Sequence, residues 1–552
     1  MLAQPDFGSA VIAKRNSLSA YRVAVAAILS LGILFRLFHF FYNRSLWEDE
    51  VYLSTGIVEM SFRELFTKPL PHLQSAPPGY LLVAHSFVVL FGKNEQALRL
   101  YSLLTGVAAL FLFLPVARYF LRPLGTTVAL ALLAFAPPLV YHAVEAKPYG
   151  PELFVTVLIL WLYVKYKGQN NLQAMLRWGI WSSMLVWFAY SSVFVLAGLT
   201  AAVGAAYMRS KQWSALLRLF IPVGMGVVSF GAVYLLFARH NAGSGWLVYF
   251  FYKCNSYLPL TSAKEAVVWL GQRVFLFFHY PLGLSWSNNI MLKASEQVLQ
   301  RMSLVPVVLI GTGVLYFYKH SKRYLLLLAA VLLLAVVASA LKAYPFIDRL
   351  TVYLAPLVIL LLAGGCDYLV AKRNILTQAS YALALLLVFG PLKNSVAQVV
   401  TPYLFGEFKK SYHREAIQYI NTNYRPGDAV YIHWNEKPAY NLYRSLTPLR
   451  FTGVLGNDYR HAAGNFPDYF ARMDAELHAL PNTKRVWVIW SNTDTPVGNY
   501  IDDPAWYYQH NDGVQRFRQH LMSIGRRLEG FNPADGNSNT MSDAHVSLME
   551  LY

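Results

Sequence analysis

The stretch VAVAAILSLGILFRLFHFF, residues 23–41, is a continuous apolar run long enough to cross a bilayer as one helix. A basic leader that contains Lys14, Arg15 and Arg22 precedes it. The run is too long for the core of a signal peptide, and no small-residue cleavage site follows it. We therefore predict an uncleaved first span, with the N-terminus of the chain in the cytoplasm.

Similar apolar blocks recur along the chain, and the composition agrees with them. Of 552 residues, 56% are hydrophobic and 14% are charged, whereas soluble domains carry about 25% charged residues. Many of the aromatic residues stand where the blocks end, as Trp and Tyr do at membrane interfaces. The sequence predicts a polytopic α-helical membrane protein with about eleven transmembrane helices. The predicted spans are residues 23–41, 98–120, 124–143, 151–167, 173–190, 192–208, 215–237, 303–318, 323–341, 350–368 and 376–394.

The stretch PGYLLVAHSFVVLFG, Pro78–Gly92, decides the topology, because every later loop changes side if this stretch crosses the membrane. It is short for a span. If it lies at the membrane surface instead, the short basic loops all face the cytoplasm, as the positive-inside rule requires. We therefore predict a juxtamembrane helix here, within a first external loop at 42–97, and a second long external loop at 238–302. The basic loops contain Arg118 and Arg122; Lys165, Lys167 and Arg177; Arg209, Lys211 and Arg218; Lys319, Lys322 and Arg323; and Lys372 and Arg373.

The net charge of +18 fits either a nucleic-acid-binding protein or this membrane topology. Because the basic residues form short clusters between apolar blocks, the topology is favoured and no nucleic-acid partner is predicted. The sequence has no Walker A loop, no G-x-G-x-x-G that opens a helix and no H-E-x-x-H. Nothing in it therefore indicates ATP, dinucleotide or zinc-protease chemistry.

The composition changes near Thr401, where charge rises and apolar residues begin to alternate in short runs. We predict a transmembrane domain at 1–400 and a small α/β domain at 401–552. The α/β domain is predicted to be extracytoplasmic, because an odd number of spans precedes it. The predicted strands are Ala429–Trp434, Arg485–Trp490 and His545–Tyr552, the helices are Tyr412–Tyr424 and Gly513–Gly525, and a turn is predicted at Arg425–Asp428.

Four unusual clusters fall on the external side in this topology, as a single site requires. Glu48, Asp49 and Glu50 are the most distinctive, because close carboxylates repel and one of them should have a raised pKa if desolvated. Such a group suits a general base that takes a proton from a hydroxyl, although a solvated acidic loop explains the run equally simply. The four clusters are Trp47–Tyr52, Ser75–Tyr80, Glu145–Tyr149 and Tyr344–Arg349.

Basic side chains near these clusters could bind an anionic group. Lys147, Arg349 and Arg99 all stand at the predicted external ends of spans, where they could equally form anchoring ion pairs or snorkel to the surface. His72 and His142 could ligate a metal, but no close spacing of histidines and carboxylates supports this. No cofactor is firmly predicted, and a divalent metal ion is left open.

These residues resemble the GT-C glycosyltransferases, in the branch of the protein O-mannosyltransferases and the lipid A aminoarabinose transferase. Asp49-Glu50 matches the acidic pair of that family's first external loop, and Pro77-Pro78 matches its proline pair before a juxtamembrane helix. Arg99 matches the arginine that opens its second span. Bacterial members carry Glu-x-Arg-x-Tyr after the third span, and Glu145–Tyr149 reads EAKPY, with Lys147 where arginine is usual.

The resemblance implies a donor sugar on a polyprenyl phosphate and an inverting transfer, with Asp49 as general base on the acceptor hydroxyl. Glu50 would orient the acceptor or the sugar. Cationic groups would stabilise the departing phosphate, and Lys147 keeps the usual charge but loses the bidentate geometry of arginine. The implied substrate-binding residues are Arg99, Glu145, Lys147, Tyr149, Tyr344 and Arg349.

Three other functions remain alternatives at this stage: a transporter or flippase of lipid-linked sugars, a membrane glycan polymerase or ligase, and a non-catalytic receptor or assembly protein. A transporter more often shows repeated halves and broken or charged helices at mid-membrane, and no repeat is evident here. The sequence leaves open the sugar and whether the acceptor is a lipid, a glycan or a protein. It favours a bacterial inner membrane as the location, with membrane lipids around the spans.

Overall fold

The protein is described here by a computed structural model that covers residues 7–239, 245–284, 304–370, 375–407, 409–491, 504–510, 512–532 and 544–552. The described residues form two compact units. The first unit comprises the described residues up to Phe41, together with those of Ser102–Leu236 and Tyr257–Tyr403. The second unit comprises Tyr42–Tyr101 and the described residues of Phe237–Ser256 and Leu404–Tyr552. The predicted first external loop, 42–97, thus packs with the predicted C-terminal domain.

Helices make up the first unit and much of the second. Those up to Val233 are α1 (Phe7–Tyr42), α2 (Glu48–Glu59), α3 (Phe62–Thr67), α4 (Pro78–Phe91), α5 (Glu95–Phe120), α6 (Pro123–Phe135), α7 (Pro137–His142), α8 (Tyr149–Lys165), α9 (Leu172–Phe188), α10 (Ser192–Arg209) and α11 (Trp213–Val233). The next described helices are α12 (Gly245–Lys253), α13 (Ala263–His279), α14 (Leu304–His320), α15 (Lys322–Ala340), α16 (Ala355–Val370) and α17 (Ile375–Val400).

Every predicted span falls on a helix of the first unit or on one shared between the units. In the described part of the chain, seven helical segments are long and apolar enough to cross a membrane. Three further apolar helices, α4, α6 and α14, are shorter. The prediction of a polytopic helical membrane protein is confirmed, whereas the count of eleven spans stays a prediction. Lys372, Arg373 and, in the predicted loop at 238–302, residues 240–244 and 285–302 lie outside the described residues.

Helix α16 is the most buried of these candidate spans and packs closely against α14. Glycines make the close approach possible, because a Cβ on Gly313 would lie 1.9 Å from the carbonyl oxygen of Leu361. A Cβ on Gly365 would lie 2.2 Å from the carbonyl oxygen of Leu309. Small residues of this kind let helix backbones meet inside a membrane, where dispersion and hydrogen bonding drive packing.

The third predicted span, 124–143, is broken, since α6 ends at Phe135 and α7 begins at Pro137. A proline lacks an N–H and keeps the preceding residue extended, and Ala136 has φ −60° and ψ 118°. Arg36 of α1 donates to the carbonyls of Leu133 and Ala134 at 3.1 and 3.0 Å. A buried arginine therefore satisfies the carbonyl groups left at the broken end.

Helix α4 has 14 residues and packs with α2 and α3 inside the second unit. Nδ1 of His85 lies 2.7 Å from the carbonyl oxygen of Ile57, and the His85 ring meets that of Phe62 edge to face at 4.4 Å. The predicted juxtamembrane position of Pro78–Gly92 stays a prediction.

The C-terminal part of the second unit is an α/β domain. Its elements are α18 (His413–Asn423), β1 (Ala429–Ile432), α19 (Lys437–Leu446), β2 (Val454–Leu455), α20 (Phe466–His478), β3 (Val486–Ser491), α21 (Ala505–Tyr508), α22 (Gly513–Ile524), β4 (Gly525–Phe531) and β5 (Ala544–Leu551). The strands form one sheet in the order β2-β1-β3-β5-β4, with β1 parallel to both neighbours and β5 antiparallel to both of its own.

Alternating side chains of the sheet face two helical layers. Tyr431 and Val488 pack with Phe517 of α22 and with α20 in one buried cluster. Trp487 faces the opposite layer, where its ring lies 6.0 Å from that of Tyr419 in α18. The predicted strands and helices of this domain are confirmed within a few residues, and β2, β4, α19, α20 and α21 were not predicted.

Candidate functional site

Glu48, Asp49 and Glu50 form the first turn of α2. Trp47 precedes them with an extended backbone, and its N–H donates to Oε2 of Glu50 at 3.3 Å. Carboxylates are favoured at a helix N-terminus because the unpaired N–H groups there carry partial positive charge. The acidic run is therefore the start of a helix and not a solvated loop.

Glu50 is fully buried and is held by two arginines. Nη2 of Arg99 lies 3.2 Å from both carboxylate oxygens, and Nε lies 3.2 Å from Oε1. Nη1 of Arg44 lies 2.8 Å from Oε2. Burying a lone carboxylate is strongly unfavourable, and the two guanidinium groups compensate for its lost hydration. This cluster, the Glu50 clamp, fixes the path of the chain into α2.

The C-terminal part of the second unit also holds this path. The N–H of Leu46 donates to the hydroxyl of Tyr443 in α19 at 2.9 Å. Arg414 of α18 donates to the carbonyl of Asn43 at 2.8 Å and forms an ion pair with Glu95 at the start of α5. The acidic turn is consequently positioned by residues from both the first loop and the α/β domain.

The two remaining acids of the turn, Glu48 and Asp49, are half-buried. Burial raises the pKa of Glu48, a hydrogen bond donated by the Tyr52 hydroxyl at 2.7 Å partly offsets this, and the charge of Asp49 raises it further. The buried pair of His413 and Glu436, 2.8 Å apart, adds charges of both signs nearby. Adjacent carboxyl groups with unequal environments can divide protonated and ionised roles between them.

The Glu145–Tyr149 motif lies in the first unit, in the turn between α7 and α8. The hydroxyl of Ser102 donates to the carbonyls of Glu145 and Lys147 at 2.7 and 3.3 Å. A Cβ on Gly150 would lie 2.3 Å from the carbonyl oxygen of His142, so the two helices approach through a glycine. The backbone of the turn is therefore pinned from both sides.

The side chains of this turn are buried. The carboxylate of Glu145 lies 2.7 Å from Nδ1 of His142, and Nε2 of His142 makes a short hydrogen bond with the hydroxyl of Tyr280. Lys147 is only 4% exposed. Its charge is weakly screened by water, so it interacts strongly with any anionic group that reaches it.

The Tyr344–Arg349 cluster joins this turn within the first unit. The guanidinium carbon of Arg349 lies 5.9 Å from the centre of the Tyr149 ring. The hydroxyl of Tyr344 donates to the carbonyl of Leu350 at 3.2 Å, and burial raises the pKa of Tyr344 well above its usual value. Two cationic residues and two tyrosines that are far apart in sequence thus lie in one region.

The predicted site residues accordingly fall into two groups, one in each unit. Asp49, Glu50 and Arg99 belong to the second unit, and Glu145, Lys147, Tyr149, Tyr344 and Arg349 belong to the first. The sequence analysis missed Arg44, Arg414, Tyr443 and the pairing of His142 with Glu145. Because His142 and Glu145 are three residues apart, their spacing could have indicated that the two side chains meet on one helical turn. Arg414 and Tyr443 gave none, because their partners are remote in sequence.

Within the described ranges, no group of three or more His, Cys, Asp or Glu side chains is arranged to hold a metal ion. The two histidines considered as ligands are engaged otherwise. The ring of His72 stacks on that of Tyr52 at 4.9 Å, and His142 pairs with Glu145. A divalent ion stays an open prediction.

No protein-family model and no curated protein sequence matches the chain. Solved structures do. The chain is similar to ArnT from Cupriavidus metallidurans bound to undecaprenyl phosphate, with a TM-score of 0.51 at 13% identity over 96% of this chain and 97% of that one. For the oligosaccharyltransferase of Archaeoglobus fulgidus in the apo form, the TM-score is 0.49 at 13% identity over 92% and 80%.

The likeness to ArnT defines the architecture as a multi-pass membrane protein with the GT-C fold. The predicted resemblance to GT-C proteins is thereby confirmed for the fold. It covers nearly the whole length of both chains, including the C-terminal α/β domain.

Proposed function

We propose that the chain is an integral membrane glycosyltransferase that moves a sugar from a polyprenyl-phosphate donor to a hydroxyl acceptor. The observation that carries this proposal is the acidic first turn of α2, in which the Glu50 clamp fixes the backbone beside Asp49. The GT-C fold supports it, and so does the undecaprenyl phosphate bound to ArnT. The partners proposed are therefore a polyprenyl-phosphate sugar and a lipid, glycan or protein acceptor.

In the proposed reaction, Asp49 is the general base. The acceptor oxygen forms a bond to the anomeric carbon while the bond from that carbon to the phosphate oxygen breaks. The electron pair leaves with the polyprenyl phosphate, and the acceptor proton passes to Asp49. Attack opposite the leaving group inverts the anomeric configuration. A positioned base of this kind contributes about 10²- to 10⁴-fold to the rate.

We assign positioning roles to Glu50 and Arg99, because their charged groups are engaged with each other and with Arg44. Arg99 is 1% exposed, and its Nη1 donates to the carbonyl of Arg44 at 2.6 Å and to the side chain of Asn43 at 3.1 Å. These bonds support a role in fixing Asp49 and not one in contacting the donor.

For the leaving phosphate we propose Lys147 and Arg349. A departing lipid phosphate needs cationic donors where its charge develops, and these donors act most strongly in a water-poor environment. Lys147 is buried, and Arg349 is held beside the ring of Tyr149. Glu145 would keep the turn in place through His142, while Tyr149 and Tyr344 would line the sugar-phosphate.

The proposed reaction takes place on the outer side of the inner or plasma membrane. This orientation rests on the basic clusters of the short loops, which predict a cytoplasmic N-terminus and an extracytoplasmic α/β domain.

The test is transfer by the purified protein from a panel of radiolabelled polyprenyl-phosphate sugars, in the presence of a cell-envelope extract. The substitution Asp49→Asn should lower release of label at least about 10²-fold while donor binding is retained. Asp468→Asn, in the first turn of α20, is the matched control and should leave release unchanged. Equal release by wild type and Asp49→Asn would remove Asp49 from the mechanism.

A transporter of lipid-linked sugars is the second candidate, because Arg36, Glu152 and Asp367 are charged groups buried in apolar helices. Each has a structural partner in the first unit. Arg36 caps the end of α6, Asp367 accepts from N–H groups at the start of α6, and Glu152 accepts from the Ser191 hydroxyl at 2.8 Å. Translocation of a fluorescent polyprenyl-phosphate sugar in liposomes, without release of the sugar, would favour the transporter.

A further inference from the structure

A groove of about 490 Å³ lies in the second unit between α2 and α19. Helix α2 contributes Thr55 and Glu59, and the turn that follows α3 contributes Pro71 and His72. Its volume is within the range of small-molecule binding sites. We call it the α2–α19 groove.

Each of the two helices places polar residues at the groove. Helix α19 buries Tyr440 and Tyr443 but exposes Asn441 and Arg444 toward the groove. Helix α2 is buried along most of its length and ends at the exposed Glu59. The groove is thus lined by polar groups on two rigid elements, a form of support that favours defined binding geometry.

The charges of the groove nearly cancel. It contains one carboxylate, from Glu59, and one guanidinium group, from Arg444, together with the amide of Asn441. Burial lowers the pKa of His72, which keeps its imidazole neutral at neutral pH. A groove for phosphates or acidic polymers would carry a surplus of basic groups. This lining instead offers donors and acceptors of both kinds, as a neutral ligand with many hydroxyl groups requires.

Flat apolar surfaces stand among these polar groups. The rings of Pro71 and Pro438 face the groove from its two sides. The His72 ring is held by stacking on Tyr52 with an interplanar angle of 27°, and the backbone of His72 is in the left-handed region with φ 54°. A non-glycine residue in that conformation is retained only where its surroundings enforce it. Flat walls with polar edges match a sugar ring, which has C–H faces and a hydroxyl rim.

The groove and the proposed catalytic turn lie on the same helix, α2, with the turn at its first residues and the groove at Thr55 and Glu59. Glu48, Tyr52 and Glu59 share one side of the helix, since they are spaced by four and seven residues. The Tyr52 hydroxyl donates to Glu48 and its ring stacks on His72 at the groove. A chain of sugar rings whose reacting hydroxyl lies at Asp49 would place its further rings in the groove.

We propose that the α2–α19 groove binds the sugar rings of a neutral oligosaccharide, so that the acceptor of the transfer is a glycan. The binding part of this inference stands on the groove alone, and the acceptor part rests on the proposed glycosyltransferase function. Glu59 and Arg444 bind ring hydroxyls through charge-assisted hydrogen bonds, and Asn441 adds a donor and an acceptor.

Binding is tested directly by calorimetry with the full-length protein and a panel of neutral tri- and tetrasaccharides of glucose, mannose and galactose. Arg444→Ala and Glu59→Gln should each weaken binding of the recognised oligosaccharide about tenfold, the loss expected for one hydrogen bond to a charged group. Arg444→Lys should recover part of it. Lys484→Ala, exposed outside the groove, is the control and should bind as wild type does.

A second measurement separates this inference from the proposed function. Hydrolysis of the polyprenyl-phosphate donor without acceptor should be unchanged in Arg444→Ala, while the KM for the oligosaccharide acceptor rises about tenfold. Donor cleavage with no oligosaccharide bound by any variant would overturn the groove assignment alone. Transfer to a peptide acceptor that is insensitive to Arg444→Ala would overturn it as well. Oligosaccharide binding lost in Arg444→Ala, but without any donor cleavage, would support the groove and contradict the glycosyltransferase.

Discussion

The hydroxyl of Tyr443 donates a hydrogen bond to Oε1 of Glu95 at 2.6 Å, across 348 positions of the sequence. The same hydroxyl accepts a hydrogen bond from the N–H of Leu46, just before α2. One oxygen atom of the α/β domain is therefore bonded both to the start of α5, at Glu95, and to the residues that lead into α2. The pKa of Tyr443 is raised well above its usual value by burial and by the charge of Glu95. The Tyr443 hydroxyl therefore stays protonated, and it is fixed beside the residues that lead into the acidic turn.

Replacing Tyr443 by phenylalanine should lower the transfer rate as well as the stability. The change leaves the Leu46 N–H and the Glu95 carboxylate short of a buried partner, which costs about 1–3 kcal/mol. We expect kcat to fall and donor binding to stay constant, because the residues that lead into α2 loosen and the turn that carries Asp49 is held less firmly. Tyr440→Phe is the matched control, since the Tyr440 hydroxyl accepts from the N–H of Gly453 at 2.8 Å, within the α/β domain. If both variants lose kcat equally, Tyr443 does not act through the loop.

The Glu50 clamp should behave as a coupled unit. Glu50→Gln removes the buried carboxylate charge that pairs with Arg44 and Arg99, and breaking a buried ion pair in this way costs about 3–5 kcal/mol. The double variant Glu50→Gln/Arg99→Gln should be less destabilised than the sum of the two single variants, by more than about 1 kcal/mol. Chemical denaturation in detergent measures this. Strict additivity of the two changes would contradict the clamp.

The variants Asp49→Asn and Glu50→Gln should differ in stability when both are unfolded with denaturant. Asp49 is half-buried and Glu50 is fully buried, so the isosteric change at Asp49 should leave the midpoint of unfolding nearly unchanged. The transfer rate should fall in both variants, through chemistry at Asp49 and through lost positioning at Glu50. Strong destabilisation by Asp49→Asn would indicate that Asp49 stabilises the fold and is not the general base.

Lys147 should affect the chemical step more than donor binding. Lys147→Gln removes a buried charge proposed to face the departing phosphate, and kcat should drop by about 10²-fold, as for loss of one charge-stabilising donor. Lys147→Arg should recover much of the rate. Lys264→Gln, exposed on α13, is the control for removing a positive charge from the first unit. A rise in KM alone, with kcat unchanged, would restrict Lys147 to binding.

The α/β domain should lose stability in weak acid because of His433. Burial lowers the pKa of His433 from 6.5 to about 4, and its ring nitrogens are bonded to Asn435 at 2.7 Å and to the Tyr469 hydroxyl at 2.9 Å. The unfolded chain takes up this proton near pH 6.5 and the folded chain only near pH 4. His433 therefore has no effect on the free energy of unfolding above pH 6.5, and it lowers that free energy by about 3 kcal/mol as the pH falls to 4.

Hydrogen exchange in β1 of the full-length protein measures this local stability. The substitution His433→Gln should reduce the pH dependence of the local stability of β1 between the pKa values of His433 in the unfolded and the folded chain. His478→Gln, at an exposed position on α20, should leave that pH dependence unchanged. An unchanged slope in His433→Gln would exclude His433 as the source.

The orientation is tested by labelling single cysteines in a background without Cys254 and Cys366. Lys484→Cys and Leu73→Cys should react with a membrane-impermeant maleimide on intact cells, because both positions are exposed in the second unit. Gln212→Cys, exposed between α10 and α11, should react only after permeabilisation. The opposite pattern would place the acidic turn in the cytoplasm and end the case for a lipid-phosphate donor at the outer face.

The sequence predicted the long apolar helices well, because lipid imposes long apolar runs that need no tertiary information. It also located the strands at 429 and 486, whose side chains are buried on both faces. It missed β4, because an edge strand with Arg526, Arg527 and Glu529 carries no apolar signal. It missed α19, whose sequence KPAYNLYRSL is short and largely polar.

The site was predicted residue by residue but not as a set of contacts. The acidic run and the EAKPY motif are local and visible in sequence. The bonds that hold them join Glu50 to Arg99 and Leu46 to Tyr443, and such pairs are created only by the tertiary fold. For that reason the sequence suggested a substrate contact for Glu50, and the positioning role proposed above draws on its burial and its ion pairs with Arg44 and Arg99, which only the structure shows.

The hydrogen bond from the N–H of Leu46 to the Tyr443 hydroxyl has a consequence for how the protein is synthesised. A chain leaves the ribosome from its N-terminus, so α1 and the acidic turn are made long before residue 443 exists. Until α18 and α19 have folded, the turn lacks the partners supplied by Arg414 and Tyr443. A nascent or truncated chain would therefore enter the membrane before the acidic turn has its full set of partners, and the proposed transfer would begin only once synthesis is complete.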